Sequence, residues 1–290
     1  MAAVRIVTDS TADIPKEIRE QLGIEMVPLK VHFGEETFLD SVTIEAEQFY
    51  TKLEQADQLP TTSQPSPVDF MDVYKRLIKE DPDAQIISIH LSSALSGTYQ
   101  SAVLARNMLE IDEQITVWDS KSASYGFGLL VVAAAKAAQS GKTKDEVLEV
   151  IREIKGNMAL YFLVDTLEYL QKGGRIGKAA AMLGSLLNIK PILSIDEEGE
   201  VASVDKVRGQ KKAFARIVDM LKQQFGDQEI IVIEAHAKAE NYADAFKALL
   251  EQHFAVRSVQ YTTIGPVIGT HVGTGTLGVF ICPATYAEYL

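Results

Sequence analysis

The chain has little cysteine and a shortage of basic residues. Cys282 is the single cysteine among 290 residues, so an intramolecular disulfide is excluded. Its apolar neighbours indicate a buried structural thiol rather than a nucleophile. Asp and Glu number 40 against 28 Lys and Arg, which gives a net charge of −12. Because binding to nucleic acid needs a basic face that neutralises phosphates, we expect no nucleic acid partner.

Long apolar runs are also missing. The longest, at residues 126–135 and 179–187, are too short to span a bilayer as a helix. The first residues lead into a strand without the charged and apolar pattern of a secretory signal. Together with the lone cysteine, which fits a reducing compartment, these features predict a cytoplasmic protein.

Motifs for nucleotides, metals and nucleophilic catalysis are absent from the sequence. Gly141-Lys142-Thr143 is not a phosphate-binding loop, because the position that needs a further glycine holds Lys136. There is no Gly-x-Ser-x-Gly or His-Glu-x-x-His motif and no metal-ligand spacing of Cys and His. We expect no metal, no cofactor and no catalytic residue. A serine triad with His271 and Asp9 stays open, since geometry rather than chain order defines triads.

What the chain does contain is a repeated unit, in which a strand leads into a hydroxyl-rich turn and then a helix. The four units are residues 4–8 with the turn 9–13, 25–33 with the turn 61–65, 85–89 with the turn 90–97, and 115–118 with the turn 119–124. Strands that alternate with helices predict a parallel sheet. In open parallel sheets, ligands bind beyond the carboxyl ends of the strands.

The four turns are therefore expected to converge on one ligand. Helix N-termini present unpaired N–H donors and a partial positive charge, which together attract an anion. We predict a small anionic ligand held by neutral donors, although helix capping by Ser96 is the simpler interpretation of the third turn by itself. The candidate residues in or directly after these turns are Asp9, Ser10, Thr62, Ser93, Ser96, Gly97 and Thr98.

The organisation of the chain changes near Gly156. After it, strands are expected at residues 160–164, 191–195, 201–207, 230–234, 256–263 and 278–282, with helices at 209–225 and 241–253. The turn at residues 196–200 indicates a hairpin, so the second sheet must be mixed. We predict an N-terminal parallel-sheet α/β/α domain (1–155) and a C-terminal mixed-sheet α+β domain (156–290), with the ligand in the cleft between them.

Two glycine-rich segments of the second half carry candidate polar side chains. Arg175 lies among three glycines, and its planar donor fork suits a carboxylate or a phosphate. His271 lies in a predicted glycine-rich loop at residues 265–275. Arg208, after the strand 201–207, is a third candidate cation, for which a solvated strand end is an equally good interpretation.

In their order along the chain, several motifs resemble those of the DegV family of bacterial lipid-binding proteins. They are residues 9–15 (DSTADIP), 62–65 (TSQP), 91–102 (LSSALSGTYQSA), 165–170 (DTLEYL), 173–176 (GGRI), 190–192 (KPI) and 269–275. The resemblance covers essentially the whole chain. It departs from the family pattern at Thr274, where proline is expected, so we expect a less rigid loop there.

The resemblance implies a non-catalytic, fatty-acid-binding subunit of bacterial fatty acid kinase. Such a subunit buries the chain of one long-chain fatty acid and presents the carboxylate to a separate ATP-binding kinase subunit, which makes an acyl phosphate for phospholipid synthesis. Carried over by position, Thr62 and Ser93 are the hydroxyls on the carboxylate, with Arg175 and His271 nearby. Arg175, His271 and Arg208 are then the expected cations around the incoming phosphate.

Two questions remain open from the sequence. A stand-alone serine-dependent hydrolase of a lipid or small ester is the alternative function. Residues 177–188 predict a helix with a stripe of Met182, Leu183, Leu186 and Leu187, which is explained either by core packing or by a movable cover. Such a cover would contact the membrane surface transiently, and the protein would then be peripheral to the membrane during lipid exchange.

Overall fold

A computed structural model of the protein describes residues 3–110, 113–184 and 189–290 and shows a mixed α/β fold. The strands are β1 (Val4–Asp9), β2 (Glu25–Val27), β3 (Lys30–Phe33), β4 (Glu36–Leu39), β5 (Thr61–Ser63), β6 (Gln85–His90), β7 (Ile115–Asp119), β8 (Ala159–Leu163), β9 (Ile189–Ile195), β10 (Val201–Arg208), β11 (Ile230–Ala237), β12 (Val256–Thr263) and β13 (Thr276–Pro283). The strands expected from the sequence after Gly156 are all present.

The helices account for most of the remaining chain. They are α1 (Lys16–Leu22), α2 (Ala46–Gln55), α3 (Pro67–Glu80), α4 (Thr98–Leu109), α5 (Tyr125–Gln139), α6 (Lys144–Asn157), α7 (Glu168–Lys172), α8 (Gln210–Phe225), α9 (Glu240–His253) and α10 (Pro266–Val272), with short 3-10 helices at Ser10–Ala12, Gly177–Met182 and Ala284–Tyr289. Within the described residues, none of these helices is long and apolar enough to cross a membrane.

The first domain is built on a parallel sheet, as the sequence predicts. Its strand order is β2-β1-β6-β7, and each neighbouring pair is parallel. The helices α3 and α6 begin with capping boxes, Ser66 with Asp69 and Thr143 with Glu146. These local signals explain why both helices start where the sequence indicates.

The predicted single strand at residues 25–33 is wrong. The strand β2 ends at Val27, before Pro28, which has no N–H to donate to a sheet. The chain then starts a separate antiparallel sheet of order β4-β3-β5. Thr62 was expected in a turn, but it lies in β5 of this small sheet, paired with Val31.

The second domain is built on a six-stranded mixed sheet of order β10-β9-β8-β13-β11-β12. The pair β11 and β12 is parallel, and the other pairs are antiparallel. The hairpin between β9 and β10 includes Gly199, with a positive φ of 86° that glycine tolerates. One face of this sheet packs against α8 and α9 in a core that includes Phe214, Phe246 and Val279.

The helix α5 lies between the two large sheets. Its buried residues are Tyr125, Gly126, Phe127, Gly128, Leu129, Leu130, Val131, Val132, Ala133, Ala134, Ala135 and Ala137. A Cβ added at Gly128 would lie 2.2 Å from the Ala12 carbonyl oxygen, and one at Gly126 would lie 2.8 Å from Leu160 and 2.9 Å from Phe280. One continuous apolar core therefore joins the two domains. The helix α6 runs past residue 155 to Asn157, so the predicted domain boundary falls inside a helix. The position of this boundary stays a prediction.

Asp13 is a buried polar link between the two domains. Its carboxylate accepts hydrogen bonds from the Ser124 hydroxyl and, over 3.0 Å, from the Gly265 N–H. Its carbonyl oxygen accepts one from the Thr262 hydroxyl over 2.9 Å. Burial raises the pKa of Asp13 well above its usual value. Burial also raises the pKa of the neighbouring Asp40, to about 7, although the hydroxyls of Ser10 and Ser41 donate to that carboxyl group.

The raised pKa of Asp40 predicts how stability depends on pH. The folded protein keeps a proton that the unfolded chain loses near the ordinary pKa of 3.8. The contribution of this proton to the free energy of unfolding is full below that ordinary pKa and is lost as the pH rises through about 7. We expect urea unfolding to show a larger loss of stability between mildly acidic and mildly alkaline pH in the wild type than in Asp40→Asn.

The exposed Asp72 on α3 supplies the matched control. Asp72→Asn should retain the wild-type loss of stability over the same pH range. If Asp40→Asn loses as much stability as the wild type does, then Asp40 is ionised in the folded protein at every pH tested, and the prediction is wrong.

Candidate functional site

An apolar cavity of about 320 Å³ lies between the two domains. Its apolar lining comprises Leu29, Leu91, Leu95, Ala123, Leu160, Phe162, Leu170, Ile195, Val201, Ala235, Ile264, Val267, Ile268, Val272, Gly278 and Phe280. Its polar lining comprises Thr62, Ser63, Gln64, Ser96, Ser124, Arg175, His271 and Thr276. We call this space the inner cavity. The turns after β6 and β7, the strand β5, the helix α10 and the inner face of the mixed sheet all contribute to it.

Thr62, Arg175 and His271 form the polar end of the inner cavity. The Thr62 hydroxyl and His271 Nε2 are hydrogen-bonded over 2.9 Å. Arg175 Nε donates to the Leu95 carbonyl oxygen over 3.1 Å, and Nη1 donates to the Gly173 carbonyl oxygen over 2.7 Å. These two bonds hold the guanidinium plane in place at the cavity lining.

His271 is a neutral group in this site. Burial, followed by the positive charge of Arg175, lowers the pKa of His271 to about 4. A pKa this low favours the neutral imidazole at physiological pH, against the cation expected from the sequence. The imidazole Nδ1 is buried and has no hydrogen-bond partner among the described residues. The ring packs directly on Gly173, where an added Cβ would lie 2.3 Å from Nδ1.

His271 is carried by a helix, not by the predicted glycine-rich loop. The helix α10 begins after Gly265 with Pro266 in its first turn and ends at Val272, before Gly273, which has a positive φ of 75°. Proline at the start and glycine after the end are the usual helix boundaries, so this signal was present in the sequence. Gly269 is inside α10, and packing requires glycine at this position because an added Cβ would lie 2.6 Å from the Tyr50 hydroxyl.

The third turn reaches the inner cavity through Ser96 instead of Ser93. Ser93 is exposed, and its hydroxyl donates to Asp119 over 2.5 Å. Ser96 lines the cavity, and its hydroxyl is hydrogen-bonded to that of Thr98 over 2.9 Å. Gly97 precedes α4 and packs against the side chain of Gln64, another residue of the cavity lining, which is not among the candidates predicted from the sequence.

The first turn contributes to the interior of the protein rather than to the cavity lining. The Ser10 hydroxyl donates to Asp40 and accepts from the Leu29 N–H. The carboxylate of Asp9 bonds the Thr11 hydroxyl, His90 Nδ1 and the Leu91 N–H. Of the four segments predicted as turns, the second, which is the strand β5, the third and the fourth therefore supply hydroxyl groups to the cavity, through Thr62, Ser96 and Ser124.

The triad of a serine with His271 and Asp9 is not formed. Asp9 instead contacts His90, whose Nε2 lies 2.7 Å from the Ser88 hydroxyl. Asp9, His90 and Ser88 are fully buried, and the Tyr74 hydroxyl also donates to Ser88. A substrate has no access to this array. Its hydrogen bonds therefore serve to pair the buried polar side chains of β1 and β6.

A second space, which we call the outer cleft, shares three residues with the inner cavity. It has a volume of about 630 Å³. Its lining comprises residues 56–61, Lys172, Gly173 and Thr270 together with the shared Thr62, Arg175 and His271. These shared side chains form the partition between the two spaces. Arg208 is exposed at the end of β10 and is outside both linings. Among the described residues, no group of His, Cys, Asp and Glu side chains could hold a metal ion.

Comparison with known proteins places this fold in a family. A DegV family protein from Thermus thermophilus, whose structure is described as fatty acid binding, is 35% identical, with a TM-score of 0.90 and coverage of 97% of this chain and 99% of the other. DegV of Bacillus subtilis, described as a fatty acid binding protein, is 36% identical, with a TM-score of 0.86 and coverage of 98% and 100%. A DegV family protein from Ruminococcus gnavus, described with vaccenic acid, is 29% identical, with a TM-score of 0.82 and coverage of 96% and 99%.

The sequence profile described as "Uncharacterised protein, DegV family" matches residues 3–284. The match takes in every strand of both large sheets and all the residues that separate the inner cavity from the outer cleft. The chain therefore belongs to the DegV family.

Proposed function

We propose that the protein binds one long-chain fatty acid, with the acyl chain in the inner cavity and the carboxylate at Thr62, Arg175 and His271. The observation that carries this proposal is an apolar cavity with a polar partition, formed by Thr62, Arg175 and His271, that separates it from the outer cleft. Burial of an alkyl chain contributes roughly 0.8 kcal/mol per methylene, so the chain supplies most of the affinity. The relatives from Thermus thermophilus and Bacillus subtilis, described as fatty acid binding, support the same ligand class.

The polar partition suits a carboxylate that has to be oriented rather than held tightly. Thr62 in the partition and Ser96 elsewhere on the cavity lining offer neutral hydroxyl donors, and Arg175 offers the positive charge. With a pKa of about 4, His271 is a neutral hydrogen-bonding group at physiological pH. Neutral donors leave the carboxylate oxygens less strongly paired than a cluster of cations would, which preserves their nucleophilicity.

The head-group assignment predicts the effect of removing the hydroxyls. Each neutral hydrogen bond contributes on the order of 1 kcal/mol, so Thr62→Ala with Ser96→Ala should weaken fatty acid binding by roughly 10-fold or more, without unfolding the chain. The dissociation constant can be measured by calorimetric titration of the delipidated protein. Ser93→Ala is the matched control, because its hydroxyl contacts Asp119 outside the cavity lining. Weaker binding by Ser93→Ala than by the double variant would refute the assignment.

Presentation of the carboxylate to a separate ATP-dependent kinase subunit is the second part of the proposal. Its support is that Thr62, Arg175 and His271 line the outer cleft as well as the inner cavity. A carboxylate held at this partition can be approached from the cleft while its chain stays buried. The protein would then act as a non-catalytic subunit, and the partner would supply the phosphoryl donor for acyl phosphate formation.

This division of labour predicts that binding and phosphorylation can be separated. One arginine that stabilises a phosphoryl transition state can be worth about 1,000-fold in rate. We therefore expect Arg175→Ala to keep its bound fatty acid but to lose most acyl phosphate formation when the kinase subunit and ATP are added. His271→Ala should show a loss in the same direction, and Arg208→Ala tests the exposed third candidate.

Both quantities should be measured on one preparation, with native mass spectrometry for the lipid and hydroxylamine trapping for the acyl phosphate. Arg152→Ala, on the exposed side of α6, is the control for loss of a surface arginine. Full activity of Arg175→Ala, or acyl phosphate made by this chain and ATP without a partner, would contradict the proposal.

The segment after Arg175 is the proposed site of contact with the membrane during lipid exchange. Residues 177–182 form a 3-10 helix, and within it Ala179 is buried, which agrees with core packing of this side chain. Leu183 follows and is 39% exposed. Leu186 and Leu187, which complete the predicted apolar stripe, lie outside the described residues.

If this segment meets the bilayer, a negative charge on it should slow lipid exchange. Leu183→Glu is expected to slow the transfer of fatty acid from anionic vesicles, because the carboxylate is repelled by the surface, and to leave the equilibrium affinity unchanged. Stopped-flow transfer from labelled vesicles measures the rate. The control is Val68→Glu on α3, which also places a charge on an exposed apolar residue. Equal transfer rates for the two variants would argue against membrane contact here.

A further inference from the structure

Gly278 is a buried glycine in the middle of β13, on the lining of the inner cavity. Its φ lies outside the left-handed region, so its backbone conformation does not require glycine. An added Cβ would lie 3.5 Å from Phe280 Cζ and 3.7 Å from the Ala235 carbonyl oxygen, both ordinary contacts. Glycine inside a strand is unfavourable, and it often marks a place where a ligand approaches the backbone. The protein fold itself gives no reason for a glycine at this position.

Other glycines close to the cavity differ in this respect. A Cβ at Gly126 would lie 2.5 Å from the Ser122 hydroxyl and 2.8 Å from Leu160. A Cβ at Gly269 would lie 2.6 Å from the Tyr50 hydroxyl. Packing of the protein against itself therefore accounts for these two glycines. Gly278, in contrast, has room for a Cβ, and the residue itself lines the cavity.

The sheet register places Gly278 where the cavity wall is formed by small residues. Gly278 is paired with Ala235 on β11 and with Phe162 on β8, and all three residues line the cavity. Two small residues therefore lie side by side, followed by a large aromatic one. The wall is therefore lower at Ala235 and Gly278 than at Phe162.

Gly278 also lies on the path that leads away from the polar partition. The Thr276 hydroxyl donates to the Val272 carbonyl oxygen, next to His271 in the chain. Gly278 is two residues farther along β13, about 7 Å beyond Thr276, and Phe280 lies the same distance beyond Gly278. Alternate residues of a strand share a face, so Thr276, Gly278 and Phe280 follow one another along the cavity wall.

We propose that Gly278, next to Ala235, sets the maximum length of the acyl chain that the inner cavity accepts. The missing side chain lets the alkyl chain lie against the sheet and continue towards Phe280 and Leu160. A side chain at position 278 projects into this path and excludes the methylene groups beyond it. This inference rests on the proposed binding of a fatty acid and adds the residue that selects among fatty acids.

The test compares Gly278→Val and Gly278→Ala with the wild type. Dissociation constants are measured for lauric, myristic, palmitic and stearic acids on delipidated protein. Each excluded methylene lowers affinity roughly 4-fold, so Gly278→Val should reduce the preference for stearic over lauric acid by at least about 10-fold. Gly278→Ala should shift the preference in the same direction by a few-fold, and lauric acid should bind all three proteins with similar affinity.

Gly156 in α6 provides the matched controls, because nothing lies within 4 Å of a Cβ added there. Gly156→Val and Gly156→Ala should retain the wild-type preference among the four acids. Should Gly278→Val fail to fold by circular dichroism, the ratio measured for Gly278→Ala decides the question.

The outcomes separate this inference from the function on which it rests. Wild-type preference in folded Gly278 variants would overturn the role of Gly278 and leave fatty acid binding intact. Failure of the wild type to bind any of the four acids would refute the proposed function, and the inference with it. If the Gly278 variants prefer shorter acyl chains than the wild type and the Gly156 variants do not, both the proposed function and the role of Gly278 are supported.

Discussion

The helix α5 carries apolar side chains around its whole circumference, and a helix of this kind is stable only where every side is shielded from water. The parallel sheet, α6 and α1 pack against it, and Leu160 and Phe280 of the mixed sheet reach it at Gly126. The glycines Gly126 and Gly128 let the two domains approach the helix closely. Burial of α5 therefore brings together two domains that could otherwise have been linked only by the chain.

The inner cavity is a consequence of this arrangement. The residues before and at the start of α5, Ala123 and Ser124, are part of the cavity lining, and Leu160 and Phe280 contribute from the opposite sheet. Asp13 holds Ser124 and the Gly265 N–H that precedes α10, so one buried carboxyl group positions both the α5 wall and the helix that carries His271. Burial raises the pKa of Asp13, which favours the protonated form of the carboxyl group that links the two domains.

The partition between the inner cavity and the outer cleft combines two opposite environments. On one side the lining is apolar, and on the other the cleft is bordered by Lys172 and the polar residues of 56–61. Burial by the protein keeps His271 neutral, so that Arg175 is the charged group among the three shared residues. An amphiphile with one anionic end matches both environments at once, because its apolar part suits the inner cavity and its anionic end suits the partition that carries Arg175.

Local sequence patterns determined much of the fold. Alternation of strands and helices identified the parallel sheet, the turn at 196–200 identified the mixed sheet, and the capping boxes at Ser66 and Thr143 located two helix starts. Each of these signals acts between residues near in the chain, where propensity and capping decide the conformation. The motifs shared with the DegV family also led to Thr62, Arg175 and His271, which the structure brings together.

Only the tertiary structure decided how those residues are used. Thr62 and His271 are 209 positions apart, and their hydrogen bond exists because a small antiparallel sheet and α10 meet at the domain boundary. The position of Ser96 rather than Ser93 on the cavity lining, the lowered pKa of His271 and the cavity space next to Gly278 likewise depend on neighbours from distant parts of the chain. Burial and electrostatic environment are properties of the packed chain, and a pattern of adjacent residues does not contain them.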